Sequence, residues 1–536
     1  MLELSNNTEL IQKLAKALDY KLNPIKFINN NILRMESGGK SKFGTYKAQE
    51  DLIDNILVHH YIALLKSRQI GASETLKAFC AWLMTFYLGI SIGVVSKNGP
   101  AATKFARDVR SMLENFAEEE FRPTFVKSTE QSFILENGSN LFADTVSATS
   151  PDDCLRSSTL TMLIIDEAAF VKKIDEAFKG MASTHATARG VAIKKELPYG
   201  IVVLSTPNGT EGKGKWFYKT WNSSLKGEGL YKPVRIHYSE APFADQSWYE
   251  FQCKALDHDQ LKIDQELELK FIVGENSFLE AETAKSIQTN ILEHMNCKKE
   301  IKTYFGTKGK TGGGTWRYFE EPNNELFYLI GIDISSSYGA CNSAIQVLRY
   351  PDLYQAAEFV GKLQISDLEK EIIEISKKYE NCLVIPEANY GIQMVQNFEN
   401  NDEINNKLYF TKIKDKDNKV KEYRPGIWTS QKNRPQFIEE LYWSITNDTA
   451  RIRSDILASE LLGLDKNLKS NLSDLAIAYA FCAYVAKYDS DDLIAMIPTQ
   501  KDKNGNSIFD SIFKSETPED EYVKNLVKRT NLPWSF

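Results

Sequence analysis

Apolar residues along this chain fall into short unbroken runs separated by longer stretches with helical spacing. Tyr61-Ile62-Ala63-Leu64-Leu65 is one run, followed by an amphipathic stretch from Glu74 to Leu88. Ser91-Ile92-Gly93-Val94-Val95-Ser96 is the next, followed by a helical pattern from Ala101 to Phe116. Leu163-Ile164-Ile165 and Gly200-Ile201-Val202-Val203-Leu204-Ser205 continue the series. Runs without polar alternation predict strands buried on both faces, and their alternation with helices predicts a mostly parallel α/β sheet.

A second α/β unit is predicted from Leu326 to about Lys487. Tyr328 to Ser335 reads as a strand, Ser343 to Leu348 as its hairpin partner, Cys382 to Asn389 as another strand, and Asn471 to Ala480 as the start of an apolar helix. The expected division is a lead-in over 1–45, a core over 46–212, a bridging subdomain and linker over 213–314, the second unit over 315–490, and a polar tail over 491–536. Lys298 to Gly314 carries five lysines and Gly312-Gly313-Gly314, and is expected to be a flexible basic connection.

Composition narrows the class. A chain of 536 residues is too long for one core. The net charge of −7 does not by itself advertise nucleic-acid binding, although a local basic stripe suffices for phosphate contact. The seven cysteines are scattered without a CxxC pair, which argues against a disulfide framework or structural zinc and for a reducing compartment. No apolar stretch reaches membrane-spanning length, and Met1-Leu2-Glu3-Leu4 does not open a signal peptide.

Chemistry enters at the ends of the apolar runs. Asp166 and Glu167 close the run from Leu163, which delivers two carboxylates to a sheet edge. In a P-loop ATPase the first such acid holds Mg²⁺ and the second orients the attacking water. Lys66-Ser67-Arg68-Gln69-Ile70-Gly71-Ala72-Ser73 follows the first strand and leads into a helix. A phosphate loop needs a glycine, helix-terminal amides, a cation and a hydroxyl for Mg²⁺. Gly71 and Ser73 supply the first and last; Ala72 stands where a lysine is standard, leaving Lys66 or Arg68 as the cation. Gln49 is placed to read an adenine edge, Thr206 lies in a polar turn able to sense the γ-phosphate, and Arg156 is placed for charge stabilisation.

In the second unit, Asp333 breaks a hydrophobic strand, Glu387 ends another, and Asp474 starts a helix. Carboxylates converging from strands and a helix suit two divalent ions, one activating water and the other stabilising the leaving oxygen of a phosphodiester. Oxygen ligands favour Mg²⁺ or Mn²⁺. Each acid also has a structural reading, with Asp474 as an N-cap and Glu387 as an exposed strand end. Asp333, between Ile332 and Ile334, is the hardest to explain structurally, because an unpaired buried charge is costly.

The ordered set Tyr46/Gln49, Lys66–Ser73, Ser150-Pro151-Asp152-Asp153 through Arg156-Ser157-Ser158, Ile165 to Phe170, and Ser205-Thr206-Pro207-Asn208-Gly209 resembles the large terminase subunit of tailed bacteriophages. Asp333, Glu387 and Asp474, with Gln265 to Phe271 and Gly426 to Pro435, extend the resemblance over about residues 45 to 490. It implies an N-terminal P-loop, ASCE-type ATPase and a C-terminal RNase H-like nuclease. Lys66 or Arg68 would bind phosphates, Ser73 and Asp166 would hold Mg²⁺ with ATP, Glu167 would activate water, and Arg156 would act on a neighbouring subunit. Asp333, Glu387 and Asp474 would hold two divalent cations, with Asn342 where relatives often carry a further aspartate. The implied partners are double-stranded DNA, a portal protein, a small terminase subunit and further copies in a ring on the procapsid, in the host cytoplasm and without a membrane. Rival readings are a translocase with an inactive nuclease fold and a non-enzymatic DNA-binding scaffold.

Overall fold

A computed structural model describes residues 2–36, 39–155, 159–274, 277–293, 299–305, 312–334, 343–414, 419–430, 432–464, 474–490 and 493. The chain divides into two compact units, Met1–Gly274 and Glu275–Phe536.

The first unit opens with α1 (Leu2–Leu22), α2 (Pro24–Asn31), the hairpin β1 (Leu33–Glu36) and β2 (Gly39–Lys42), and α3 (Lys47–His59). Then come β3 (Tyr61–Lys66), α4 (Ala72–Phe86), β4 (Ser91–Val95) and α5 (Gly99–Glu114). β5 (Phe125–Ser128), β6 (Ser132–Leu135) and β7 (Asn140–Asp144) form an edge, followed by β8 (Met162–Asp166), α6 (Ile174–Lys194) and β9 (Gly200–Ser205). α7 (Lys215–Leu225), β10 (Lys232–Ile236), α8 (Gln246–Ala255) and α9 (Gln260–Glu266) complete the unit.

The eight strands run in the order β10-β3-β9-β8-β4-β7-β6-β5. Pairing is parallel from β10 to β7 and antiparallel at β6 and β5. β3, β4 and β9 are buried throughout, as their unbroken apolar runs require. Helices cover them with faces of 3.6 spacing: α5 buries Ala102, Phe105, Ala106, Val109, Met112 and Leu113, and its start is capped by Asn98, which accepts from the Ala101 amide at 3.0 Å. Insertion of β9 between β3 and β8 is the ASCE order. It places the ends of the loop-bearing and acidic strands at one sheet edge with a third strand between them.

The second unit contains α10 (Ala281–Glu293), β11 (Lys299–Phe305), β12 (Gly312–Tyr318), β13 (Phe327–Asp333), β14 (Ser343–Tyr350) and β15 (Gln355–Lys362). α11 (Ile365–Lys378), β16 (Cys382–Pro386), α12 (Ala388–Glu399), the hairpin β17 (Phe410–Lys414) and β18 (Val420–Pro425), α13 (Arg434–Asn447), α14 (Asp455–Leu462) and α15 (Asp474–Tyr488) follow. The sheet order is β11-β12-β15-β14-β13-β16. β13, β14 and β15 form an antiparallel meander, and β16 joins parallel to β13. A three-strand meander extended on its first strand by a parallel fourth is the RNase H-like core.

Lys298 to Gly314 departs from the expected flexible connection. Its described residues form β11 and the start of β12, which pair antiparallel with each other, and β12 pairs with β15. The glycines are not there for flexibility alone. A Cβ on Gly314 would stand 2.1 Å from the Phe359 ring, so the ring needs a residue without a side chain beneath it.

One polar row crosses this sheet: Arg317 pairs in register with Glu358, Glu358 with Gln346, and Gln346 with Gly331. Glu358 is fully buried and accepts from Ser454 Oγ at 2.7 Å, while its Oε2 and the Gln346 Nε2 have no hydrogen-bond partner. Burial pushes the Glu358 carboxyl up from 4.5 to about 7 despite Arg317 and the Ser454 bond. The folded state therefore holds a proton that the unfolded chain has released between those values. Stability of the second unit is greatest below about pH 4.5 as far as this group is concerned, and falls as pH rises through about 7, by up to about 3 kcal/mol. Glu358→Gln should flatten that slope and raise the unfolding midpoint at pH 8; an unchanged pH profile in chemical denaturation would refute the assignment.

Candidate active sites

The first site is built on the loop between β3 and α4. Lys66 ends β3 with its side chain only 5% exposed, and its Nζ lies 3.0 Å from Glu167 Oε1. Arg68 turns the other way: its amide donates to the Glu266 carbonyl at 2.7 Å, and its guanidinium pairs with the Glu266 carboxylate. Of the two candidate cations, Lys66 meets the acidic strand and Arg68 engages α9. Gly71 caps α4 at φ 78°, a left-handed conformation, and a Cβ there would stand 2.6 Å from Gln49 Nε2. The left-handed φ favours glycine, and the close amide leaves little room for a side chain.

Gln49 is buried beside this turn and donates to the Ile70 carbonyl at 3.4 Å, and Tyr46 Oη donates to the same carbonyl at 2.6 Å. Gln49, the residue expected near an adenine edge, and Tyr46 both brace the loop backbone. Ser67 is held from three sides: its amide donates to the Ile236 carbonyl at 3.0 Å, its hydroxyl to the Leu267 carbonyl at 2.6 Å, and it accepts from the Tyr238 amide at 3.0 Å.

Opposite the loop, Ser73 Oγ donates to Asp166 Oδ1 at 2.9 Å. Burial and the adjacent Glu167 push the Asp166 carboxyl up, opposed by Lys66 and the Ser73 bond. Glu167 sits at φ 55°, left-handed for a non-glycine residue, which turns its side chain back toward Lys66. From β9, Ser205 Oγ accepts from the Ala169 amide at 3.2 Å, and Thr206 follows as a buried residue. Asn208 donates to the Ala169 carbonyl at 3.0 Å, so the turn after β9 is fastened to the turn after β8. The assembled set is a cation, a hydroxyl, helix-terminal amides and two acids, which fits a polyphosphate with a divalent ion. Arg156 lies outside the described residues.

The second site forms where β13, β16 and α15 meet. Ile332 pairs with Pro386, and the Glu387 amide donates to the Ile332 carbonyl at 3.0 Å, so Asp333 and Glu387 leave adjacent parallel strands together. Both are buried. Asp474 opens α15. A Cβ on Gly331 would lie 2.0 Å from the Ala478 carbonyl, so α15 crosses β13 directly over a residue with no side chain. Asp474 is one turn before Ala478, which brings it toward Asp333.

Burial, then Glu387 and Asp474, push the Asp333 carboxyl well above its ordinary range. Glu387 is also raised by burial, opposed by the bond from Thr429. Thr429 Oγ1 donates to Glu387 Oε1 at 2.7 Å. Buried acids held this close call for positive charge, and the oxygen-only donor set suits Mg²⁺ or Mn²⁺. Among the described residues no three His, Cys, Asp or Glu side chains already stand in a metal-holding arrangement, so a cation would have to draw these acids inward. Asn342 lies outside the described residues.

Glu460 was not singled out from the sequence, yet its charge reaches Asp333 and it accepts from the Ala476 amide at 3.0 Å. The available signal was the one that marked Asp333, an acid alone in an apolar run: Ile456-Leu457-Ala458-Ser459-Glu460-Leu461-Leu462.

Strand order and side-chain geometry thus define a chain with an ASCE-type P-loop unit and an RNase H-like unit. Residues 63–283 match the family described as "Terminase large subunit, T4likevirus-type, N-terminal". That match makes residues 63–283 similar to the N-terminal part of large terminase subunits. Among solved structures it is similar to the large terminase of bacteriophage HK97, at 11% identity and a TM-score of 0.39, over 87% of this chain and 99% of that one. It is also similar to the large-terminase ATPase domain of Thermus phage P74-26, at 18% identity and a TM-score of 0.33, over 43% of this chain and 95% of that one. No helix among the described residues is long and apolar enough to cross a membrane.

Gly331→Ala should lift α15 from β13 and destabilise the second unit by about 1–3 kcal/mol. Thermal unfolding of the variant checks this, and an unshifted midpoint would show that α15 does not depend on the glycine.

Proposed function

We propose that this chain is a DNA-packaging motor subunit, with ATP hydrolysis in the first unit driving double-stranded DNA into a procapsid and the second unit cutting concatemeric DNA. The observation that carries the reading is the paired contact Lys66–Glu167 and Ser73–Asp166 across the sheet edge. It supplies one residue for each requirement of NTP hydrolysis: Lys66 for phosphate charge, Ser73 and Asp166 for Mg²⁺, and Glu167 for the attacking water. Gly71 lets the backbone approach the phosphates, Thr206 reports on the γ-phosphate, and Arg156 acts on a neighbouring copy's nucleotide in a ring.

Lys66 cannot neutralise Glu167 and hold a phosphate fully at once. When phosphate draws Lys66 away, Glu167 is left free to accept a proton from water, so base activation follows nucleotide binding. In the second unit, Asp333, Glu387 and Asp474 would hold two divalent cations, which would supply an activated water and charge stabilisation for the leaving oxygen of the phosphodiester. Thr429 orients Glu387 for that role. The β17–β18 hairpin carries exposed Lys419, Lys421 and Arg424, the last paired with Glu422, and is assigned to DNA phosphates. A portal protein, a small terminase subunit and further copies of this chain complete the assembly, which works in the host cytoplasm.

Glu167→Gln should bind ATP within a few-fold of wild type while kcat falls by about 10²–10⁴-fold; near-normal turnover would remove Glu167 from this role. Lys66→Ala should abolish ATP hydrolysis while Arg68→Ala retains more of it; the reverse ranking would transfer the phosphate role to Arg68. Supercoiled plasmid incubated with the full chain should be cut in Mn²⁺ or Mg²⁺ but not in EDTA. Asp333→Ala should eliminate the cutting and leave ATP hydrolysis near wild type. A folded wild-type protein that cuts under no condition would leave a translocase without a nuclease.

A further inference from the structure

We infer that Glu460 is a positioning residue of the second site, anchoring the first turn of α15 so that Asp474 faces Asp333. The inference rests on the nuclease reading above. Glu460 is in the last turn of α14, only 6% exposed, and sits among Ile456, Leu457, Leu461 and Leu462. A carboxylate in such surroundings is costly unless its charge is answered. Its Oε2 accepts from the Ala476 amide at 3.0 Å.

Ala476 is the third residue of α15, and its amide is one of the four at a helix start that have no acceptor within the helix. The Glu460 carboxylate thus meets both that amide and the positive end of the helix.

The placement is specific to the chemistry. α15 is fixed on its sheet side by the Ala478 carbonyl over Gly331, and Glu460 fixes the same two turns from α14. Asp474 is the first residue of α15, two positions before the Ala476 contact. Sliding or fraying that turn would move Asp474 from Asp333 while leaving the rest of α15 packed, because Ala478, Tyr479, Phe481 and Cys482 remain buried. Glu460 also adds its negative charge to the field at Asp333, so the anchor strengthens the demand of the site for cations.

The test compares Glu460→Ala with Glu460→Gln in the full chain, because glutamine keeps a carbonyl acceptor for Ala476 and loses the charge. Hydrogen–deuterium exchange of the first turn of α15, without added metal, reads the anchor; plasmid cutting across a Mn²⁺ titration reads its consequence. Glu460→Ala should speed exchange in that turn by about tenfold or more and reduce cutting by a similar factor. Glu460→Gln should recover most of the protection and most of the cutting, at a higher half-saturating Mn²⁺. Unchanged exchange in Glu460→Ala would overturn the anchor. Recovered exchange without recovered cutting would also overturn it, by assigning Glu460 a direct role toward cation or DNA. A wild-type protein that never cuts would defeat the nuclease reading itself, which the exchange arm separates from loss of the anchor.

Discussion

Two acids brought together at the dry end of a strand repel one another, and the structure of both units follows from that cost. In the first unit Asp166 and Glu167 are adjacent in sequence, and the chain answers them with the Lys66 ammonium and the Ser73 hydroxyl. In the second, Asp333 and Glu387 come from neighbouring strands, and the answer is the Thr429 hydroxyl on Glu387. The two solutions differ in what they leave for a ligand. An ammonium is a partner that an anion can share, whereas acids without a basic partner of this kind present negative charge to a cation. The first arrangement suits a nucleotide-dependent cycle and the second a metal-dependent cut.

Sheet topology makes both placements possible. Parallel strands end at one edge, so acids at strand termini gather there without any strand being distorted. β9 between β3 and β8 sets the distance that Lys66 spans to reach Glu167. In the second unit, the parallel pairing of β13 with β16 does the same for Asp333 and Glu387, and the bare backbone of Gly331 admits α15 from above.

Much of this was legible in the chain because buried parallel strands leave unbroken apolar runs, and a charge ending such a run stands out. Asp166 and Asp333 were visible on that ground. The same signal at Glu460 was masked by its neighbours: Ile456 to Leu462 reads as an ordinary apolar helix, and the acceptor role depends on Ala476, far along the chain. Lys298 to Gly314 was misread for a different reason. Glycine is ambiguous between flexibility and close approach, and only the position of the Phe359 ring distinguishes them. Gln49 also meets the Ile70 carbonyl, a contact between sequence-distant groups that the pattern of residues does not carry.

The absence of lysine at position 72 follows from packing. Ala72 is 2% exposed and belongs to the hydrophobic core that includes Leu76 and Phe79. A long cationic side chain there would have to displace that packing or turn sharply into the loop. The chain instead carries the ammonium on Lys66, at the end of a strand rather than the start of a helix. From there it reaches the same edge over a β-strand backbone that is hydrogen-bonded on both sides, to β10 and to β9. The cation is thus mounted on the most rigid part of the sheet, and the loop between it and Ser73 is free to be shaped by Gly71, Tyr46 and Gln49. The positive charge at this sheet edge is thus attached to the strand end and not to the helix start, which is why a search for the usual loop spacing passes over this one.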